Sequence, residues 1–265
     1  MRQDLQDKTN PEDVQVYLTD ASFIREGHAE RVVFPESIEE VSEVLASANR
    51  DRIPVTVSGA GTGTVGGRVA FGGIVLATDK LNRIKSIVHG EGGGIAVVEP
   101  AVILSDLQRA VDQEGLLYPP DPTERGCYVG GTVATNASGA RTFKYGPTRN
   151  YVSRLNVVLA SGEVLDLRRG TVHADDHGML RLGNSIELKL PTYRRPNTRK
   201  NASGYFIAPG MDAIDLFIGS EGTLGVICEI EVRLIPKPQG LLSGVVFFAD
   251  EADLLALVAD AREHA

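Results

Sequence analysis

The stretch PVTVSGAGTGTVGGRVAFGGIVLA, residues 54–77, decides the fold. Pro54 to Val57 and Ile74 to Ala77 read as short strands, with the glycine-rich segment Ser58 to Gly67 directly after the first. Gly61, Gly63 and Gly66 have the G-x-G-x-x-G spacing of a Rossmann dinucleotide turn. Such a turn must open a crossover helix of about ten or more residues. Only Arg68 to Gly73 separate these glycines from the next strand, so that helix has no room, and the Rossmann reading fails. No Gly-Lys-Ser/Thr closes the loop, which excludes a P-loop. The loop carries no Lys or Arg before Arg68. It would therefore hold phosphates through backbone N–H groups arranged as a nest, helped by the Ser58, Thr62 and Thr64 hydroxyls.

The neighbouring sequence reads outward from this loop. Val32 to Phe34 form a strand ending at Pro35, and Ser37 with Glu40 makes a capping box. Ile38, Val41, Val44, Leu45 and Ala48 recur at helical spacing to about Arg50, giving a strand–helix–strand unit that leads into the loop. Residues 1–27 read as a polar leader with little periodicity. Beyond the loop, Ile84 to His89 and Ile95 to Glu99 form a hairpin around Gly90 to Gly94. Leu104 to Glu114 is an amphipathic helix capped by Ser105 or its neighbour and ended by Gly115. Leu155 to Ala160 and Glu163 to Leu167 form a second hairpin about Ser161-Gly162, and 168–210 is a polar excursion. Leu216 to Ile218 and Val226 to Ile235 return to strand; a strand Gly244 to Phe248 and a helix Glu251 to Glu263 follow.

A second glycine-rich region, YPPDPTERGCYVGGTVATNASGARTFKYGPTRN at 118–150, is too polar for core and too long for an idle loop. Gly130 and Gly131 precede a short helical run, Thr132 to Ser138. A helix beginning at a glycine pair presents free N–H groups and its positive dipole end to an anion. Tyr128, Val129, Val133, Phe143 and Tyr145 argue against disorder, and the segment reads as a cradle for a large, flat, anionic ligand.

With 265 residues the chain can bury a sizeable core. A formal net charge of −8 excludes a general nucleic-acid binder, and the locally basic run Tyr193 to Lys200 reads as a solvated loop. Two cysteines, Cys127 and Cys228, are too few for a disulfide framework and fit a reducing compartment. No apolar run reaches membrane-span length and the first residues are not a signal peptide, so the expected location is the cytoplasm. His173 and His177, with Asp175 and Asp176, have helical metal-ligand spacing but end at Gly178. A solvated turn is the better reading, and no metal is expected.

Three blocks, VSGAGTGTVGG (57–67), PPDPTERGCYVGGTVATNASGARTFKYGPTRN (119–150) and DLFIGSEGTLGVICEIEVRLIPKP (215–238), together with KNASGY (200–205), carry a resemblance. They resemble the FAD-linked oxidases of the vanillyl-alcohol oxidase/para-cresol methylhydroxylase superfamily. The branch is that of D-lactate and D-2-hydroxyglutarate dehydrogenases and the glycolate oxidase flavin subunit. The resemblance implies an α+β, two-lobed FAD-binding domain over residues 28–240, with a small βαβ lobe and a larger antiparallel lobe. Residues 241–265 would be the first strand and helix of a ferredoxin-like cap, the chain being one part of a longer or split oxidase. By motif match, Ser58, Gly59, Ala60, Gly61, Thr62 and Gly63 would wrap the pyrophosphate. Pro120, Asp121, Thr123, Gly130, Gly131, Thr132, Thr135, Asn136 and Gly139 would line the diphosphate, ribityl chain and isoalloxazine. Glu221, Gly222, Gly225, Val226 and Ile227 would flank the adenosine half or the same channel.

Covalent members usually carry a His in the first loop; Gly59 to Thr62 has none, and Cys127 is not at the cysteinyl-flavin spacing, so non-covalent FAD is expected. Lys144, Tyr145, Lys200, Asn201 and Tyr205 lie within the family motifs, with a structural ion pair or a flavin contact equally open; no general base is identified. The implied reaction is oxidation of a D-2-hydroxy acid by hydride transfer to flavin N5. The implied partners are an iron–sulfur or quinone electron acceptor and a second copy or subunit carrying the cap. Alternatives are a non-catalytic electron-relay module, or a reductase of the UDP-N-acetylenolpyruvylglucosamine type, whose Gly-Ser-Asn signature is missing from the first loop.

Overall fold

The computed structural model describes residues 5–183, 186–192, 198, 202–240 and 244–264. Its first lobe contains β1 (Asp7–Lys8), α1 (Pro11–Gln15), β2 (Arg31–Val33), α2 (Ile38–Asp51), β3 (Val55–Ser58) and β4 (Ile74–Ala77). The sheet order is β1-β2-β4-β3, with β4 parallel to both β2 and β3. Parallel neighbours usually need a helical crossover. Here β3 and β4 are joined by the glycine loop alone, which is why the Rossmann spacing occurs without a Rossmann unit. The helix α2 packs Val41, Val44, Leu45 and Ala48 against Ile74 and Leu76. Ser37 Oγ accepts the Glu40 N–H at 3.2 Å, while the Glu40 carboxylate takes the Glu36 N–H at 2.8 Å, one residue before the expected box partner.

The segment read as a polar leader is folded. The strand β1 pairs antiparallel with β2, and the Asn10 side chain caps α1. Val14 and Leu18 pack beside Val32, Phe34 and Val75, and Tyr17 meets Phe34 edge-on at 5.4 Å. One buried residue, Val14, on a helix this short gives no visible period.

The second lobe begins with β5 (Ile84–Gly90), β6 (Gly93–Val98), α3 (Leu104–Gln113) and β7 (Leu116–Leu117). Then come α4 (Val129–Ala134), α5 (Thr142–Tyr145), a 3₁₀ turn at Thr148–Asn150, β8 (Val152–Val158) and β9 (Val164–Arg168). The remaining elements are β10 (Met179–Leu182), β11 (Ile186–Lys189), α6 (Ile214–Phe217), β12 (Val226–Pro236) and α7 (Glu251–His264). The main sheet is antiparallel, in the order β5-β6-β12-β8-β9, with β7 on the far end of β12. The strand β12 joins the lobes: Ile230, Val232 and Leu234 belong to the large core with Leu104, Leu107 and Tyr118, whereas Val226 and Cys228 belong to the α2 core.

Four expectations change. No side chain caps α3; carbonyls of Cys127 and Arg125 take the Leu104 and Ser105 N–H groups instead, at 2.9 and 3.2 Å. The polar excursion contains the hairpin β10–β11, which buries Leu180 and Leu182. Leu216 to Ile218 is not a strand; α6 covers Leu216 and Phe217, and the Asp212 carboxylate accepts the Ile214 N–H at 3.2 Å to start it. Gly244 to Phe248 forms no strand either, since no described strand pairs with it, and Val245, Val246 and Phe247 are exposed. The helix α7 forms as expected, without a buried residue. Lys200, Asn201 and the basic run 193–197 lie outside the described residues.

Candidate cofactor site

A groove of about 280 Å3 runs between the lobes, walled by the first glycine loop, by α4 with the segment before it, and by Glu221 to Ile227. The first wall follows from how the loop's backbone is bonded. Four of its carbonyls are engaged: Ser58 O accepts the Thr78 N–H at 3.0 Å and hydroxyl at 3.2 Å, Gly59 O accepts from Arg68, Gly63 O accepts the Ala21 N–H at 2.9 Å, and Gly66 O accepts the Val69 N–H at 3.0 Å. Its amides are not. Among the described residues, no N–H from Gly59 to Gly67 donates to a protein acceptor. A run of unused amides at a groove wall is able to receive an anion.

Arg68 stands behind this nest. Its guanidinium donates to the carbonyls of Val16 at 2.6 Å, Gly59 at 3.0 Å and Tyr17 at 3.4 Å, and it lies 5.4 Å from the Tyr17 ring centroid. Gly61, at φ +74°, is needed here both for its left-handed backbone and because a Cβ would collide with the Arg68 guanidinium. Burial lowers the Arg68 guanidinium from its ordinary value, and Asp79, Tyr17 and Asp20 oppose that shift.

The second wall meets the expectation of a free helix N-terminus only in part, since among the described residues the Gly131 N–H alone of the first three amides has no acceptor. The glycine pair lies inside α4, and its first amides are already used: Val129 N–H donates to Val102 O at 2.9 Å and Gly130 N–H to Pro100 O at 2.8 Å. Gly130 is glycine because a Cβ would sit 2.5 Å from Pro100 Cβ. Gly131 has open space around its Cβ direction and faces the groove. Thr132 and Thr135 turn their hydroxyls back to the carbonyls of Val129 and Gly131, at 2.7 and 2.9 Å.

The expected site residues divide accordingly. Gly59, Ala60, Gly61, Thr62 and Gly63 line the groove; so do Gly130, Gly131, Thr132 and Thr135, and so do Glu221, Gly222, Gly225 and Ile227. Ser58, Pro120, Asp121, Thr123, Asn136, Gly139 and Val226 do not. Most of these serve as supports. Asn136, at φ +46°, accepts the Arg149 N–H at 3.0 Å. Pro120 O accepts from Gln108 at 3.0 Å, and Gly139 backs onto the Asp121 carbonyl. Asp121 pairs with Arg125 at 3.1 Å and Arg141 at 3.5 Å, while Val226 packs in the α2 core.

Lys144, Tyr145 and Tyr205 also lie off the groove wall: Tyr145 O accepts the Tyr151 hydroxyl at 2.8 Å, and the Tyr205 and Thr223 hydroxyls are 2.7 Å apart. The segment with His173 and His177 forms a turn in which the Asp175 carboxylate accepts the His177 and Met179 N–H groups at 2.9 and 2.8 Å.

Sequence reasoning missed Arg68, Asp20, Thr78 and Pro100 on the groove wall. It also missed the ion cluster behind the cradle. There the Asp215 carboxylate meets Arg149 at 2.9 Å and Arg169 at 3.0 and 3.1 Å, and the Arg149 guanidinium stacks 4.3 Å from the Phe206 ring centroid. Burial alone would raise the Asp215 carboxyl, but the two guanidiniums hold it below the usual carboxylate value.

A phosphate-bearing dinucleotide fits these residues. The nest offers amides, and Asp20 Oδ2, a buried oxygen on the groove wall, has no partner among the described residues. A sugar hydroxyl would supply the missing donor. Cys127 also reaches the wall, but burial foremost, then Glu124, pushes its thiol up to about 11.

The family described as FAD binding domain matches residues 29–168. A D-lactate dehydrogenase of Anaerostipes hadrus is 37% identical over 230 residues, 86% of this chain and 41% of that protein. Glycolate oxidase subunit GlcD of Bacillus subtilis is 35% identical over 226 residues, 84% of this chain and 41% of that protein. A D-2-hydroxyglutarate dehydrogenase of Xanthomonas citri pv. viticola is 35% identical over 233 residues, 87% and 42% respectively. The chain thus spans about two fifths of the length of these relatives. A solved alkyldihydroxyacetonephosphate synthase superposes with a TM-score of 0.65 at 19% identity, covering 89% of this chain and 42% of that one, a likeness of fold.

Proposed function

The chain belongs to the FAD binding domain family and its cofactor is FAD; on that premise we propose that it is the flavin-binding part of a D-2-hydroxy-acid dehydrogenase. The observation that carries the site assignment is the run of unused amides from Gly59 to Gly67 on a groove shared with Gly131 and Glu221 to Ile227. FAD would accept the hydride of the substrate's α-C–H at N5. The residues of this chain bind and orient. The loop amides receive the diphosphate, the Asp20 carboxylate takes a hydroxyl of the cofactor, and the α4 wall with Ile227 excludes water along one side. D-lactate and D-2-hydroxyglutarate are the substrates to try first, since relatives with those names are the similar ones.

Attachment is non-covalent in this reading. The first loop offers no His, and a thiol pushed up to about 11 carries too little thiolate at neutral pH to add to the flavin. All the flavin should therefore leave the protein on acid precipitation; yellow colour in the pellet would overturn this part.

The test of function is a visible spectrum of the purified chain with FAD, followed by anaerobic addition of the two hydroxy acids. Bleaching of the flavin by one of them supports a complete site. A bound flavin that stays oxidised limits this chain to the cofactor-holding part. Failure to bind FAD overturns the assignment of the groove.

A further inference from the structure

The cation behind the nest does more than close a loop. Among the described groove-lining residues Arg68 is the single Lys, Arg or His, whereas Asp20, Glu124 and Glu221 are acidic. No described carboxylate lies within ion-pair distance of it. Its described hydrogen-bond partners are the three carbonyls of Val16, Tyr17 and Gly59. A neutral amide side chain could brace carbonyls without the desolvation cost of a half-buried, unpaired guanidinium. The carboxylates of Asp79 and Asp20 act on it only from beyond ion-pair distance and offset its burial in part, so an anion in the groove would complete the compensation.

The bond to Gly59 also has a directional consequence. Among the described residues no peptide is cis, so the Gly59 carbonyl and the Ala60 N–H point in opposite directions within one peptide plane. By holding the carbonyl at 3.0 Å, Arg68 turns the Ala60 N–H away from itself, and Ala60 is a groove-lining residue. The bonds to Val16 and Tyr17 fix the guanidinium to the folded N-terminal segment, so the orientation is set before any ligand arrives.

We propose that Arg68 is the positioning residue for the cofactor diphosphate, aligning the Gly59–Ala60 peptide and supplying the positive charge that the nest itself lacks. The proposal rests on the assignment of this groove to FAD. It places the affinity for a dinucleotide in a residue just outside the glycine motif.

The experiment titrates the apoprotein with FAD by fluorescence at low and high salt, for the wild type, Arg68→Gln and Arg68→Lys, with apoprotein melting curves alongside. Arg68→Gln should weaken FAD about tenfold at low salt and flatten the salt dependence, because the screened charge is gone. Arg68→Lys should fall between, with the salt dependence kept, since a point charge remains without the fork. Equal affinity of the wild type and the Gln variant overturns the proposal. So does a weaker affinity that tracks a lower apoprotein melting temperature with unchanged salt dependence in both variants, because Arg68 would then only hold the fold. A wild type that takes up no FAD overturns the cofactor assignment itself, an outcome separate from either variant result.

Discussion

The loop from Gly59 to Gly67 and the glycine pair inside α4 face one groove, yet their glycines answer different needs. At the loop the carbonyls of Ser58, Gly63 and Gly59 are tied to Thr78, Ala21 and Arg68 while the amides stay unused, which leaves the backbone N–H groups for a ligand. At α4 the amides of Val129 and Gly130 are bonded to Val102 and Pro100, and Gly130 lets two backbones approach. Gly63 in the loop faces open space, whereas Gly130 in α4 serves packing. Only an account of where each N–H goes separates the two.

If the cradle is a packing element, damage to its supports should appear in the protein without FAD. The largest effect is expected at Asp215, which pairs with Arg149 and Arg169 behind the cradle. Asp215→Asn takes the carboxylate charge from beside two guanidiniums and should cost about 3 kcal/mol at pH 7, read by urea denaturation. The folded carboxyl titrates below its unfolded value. Its stabilisation is therefore complete above the unfolded value near ~4 and is lost as pH falls through the folded one. The wild-type and variant curves should converge as pH drops from about 4 downward. A gap that persists in acid would assign the effect to shape rather than charge.

Gly130→Ala comes next. Its Cβ would meet Pro100 Cβ at 2.5 Å and Pro100 O at 3.0 Å, contacts that require backbone to move. Melting of the apoprotein should report a loss of about 2 kcal/mol. Gly63→Ala is the opposite case, because its Cβ would enter open space at a backbone angle outside the left-handed region. Its apoprotein stability should stay within about 0.5 kcal/mol of wild type while FAD affinity falls. An apoprotein destabilised by Gly63→Ala as much as by Gly130→Ala would erase the distinction between the two regions.

Much of this was legible in the chain because it is local. The period of Val41, Val44, Leu45 and Ala48, the Ser37 cap and the missing crossover helix after Val57 gave the first lobe without tertiary information. What was not legible depends on contacts distant in sequence. The unused amides of the loop could be inferred from its glycines, but the capture of the α4 amides by Pro100 and Val102 could not. Leu216, Phe217 and Ile218 form an apolar run too short to tell helix from strand, and Asp212 and Asp215 decide it through partners far away. Arg68 was visible beside the glycines, but its contacts reach back to Val16 and Tyr17 in a segment read as a leader.

The smallest effect gives the sharpest test, because stability and binding should move in opposite directions. Gly131 lies inside α4, its φ is not positive, and nothing stands within 4 Å of its Cβ direction. Glycine at a helical position costs about 0.5–1 kcal/mol relative to alanine through backbone entropy. If packing alone governed this site, Gly131→Ala would raise the apoprotein's stability by a few tenths of a kcal/mol up to that amount. The same methyl would project into the groove, where Gly131 is part of the wall. FAD binding should therefore weaken while the apoprotein melts slightly higher. That pair of signs assigns the empty side of Gly131 to the cofactor. A variant that melts higher and binds FAD as well as wild type would return both glycines of α4 to packing, leaving the first loop as the glycine-built surface for the ligand.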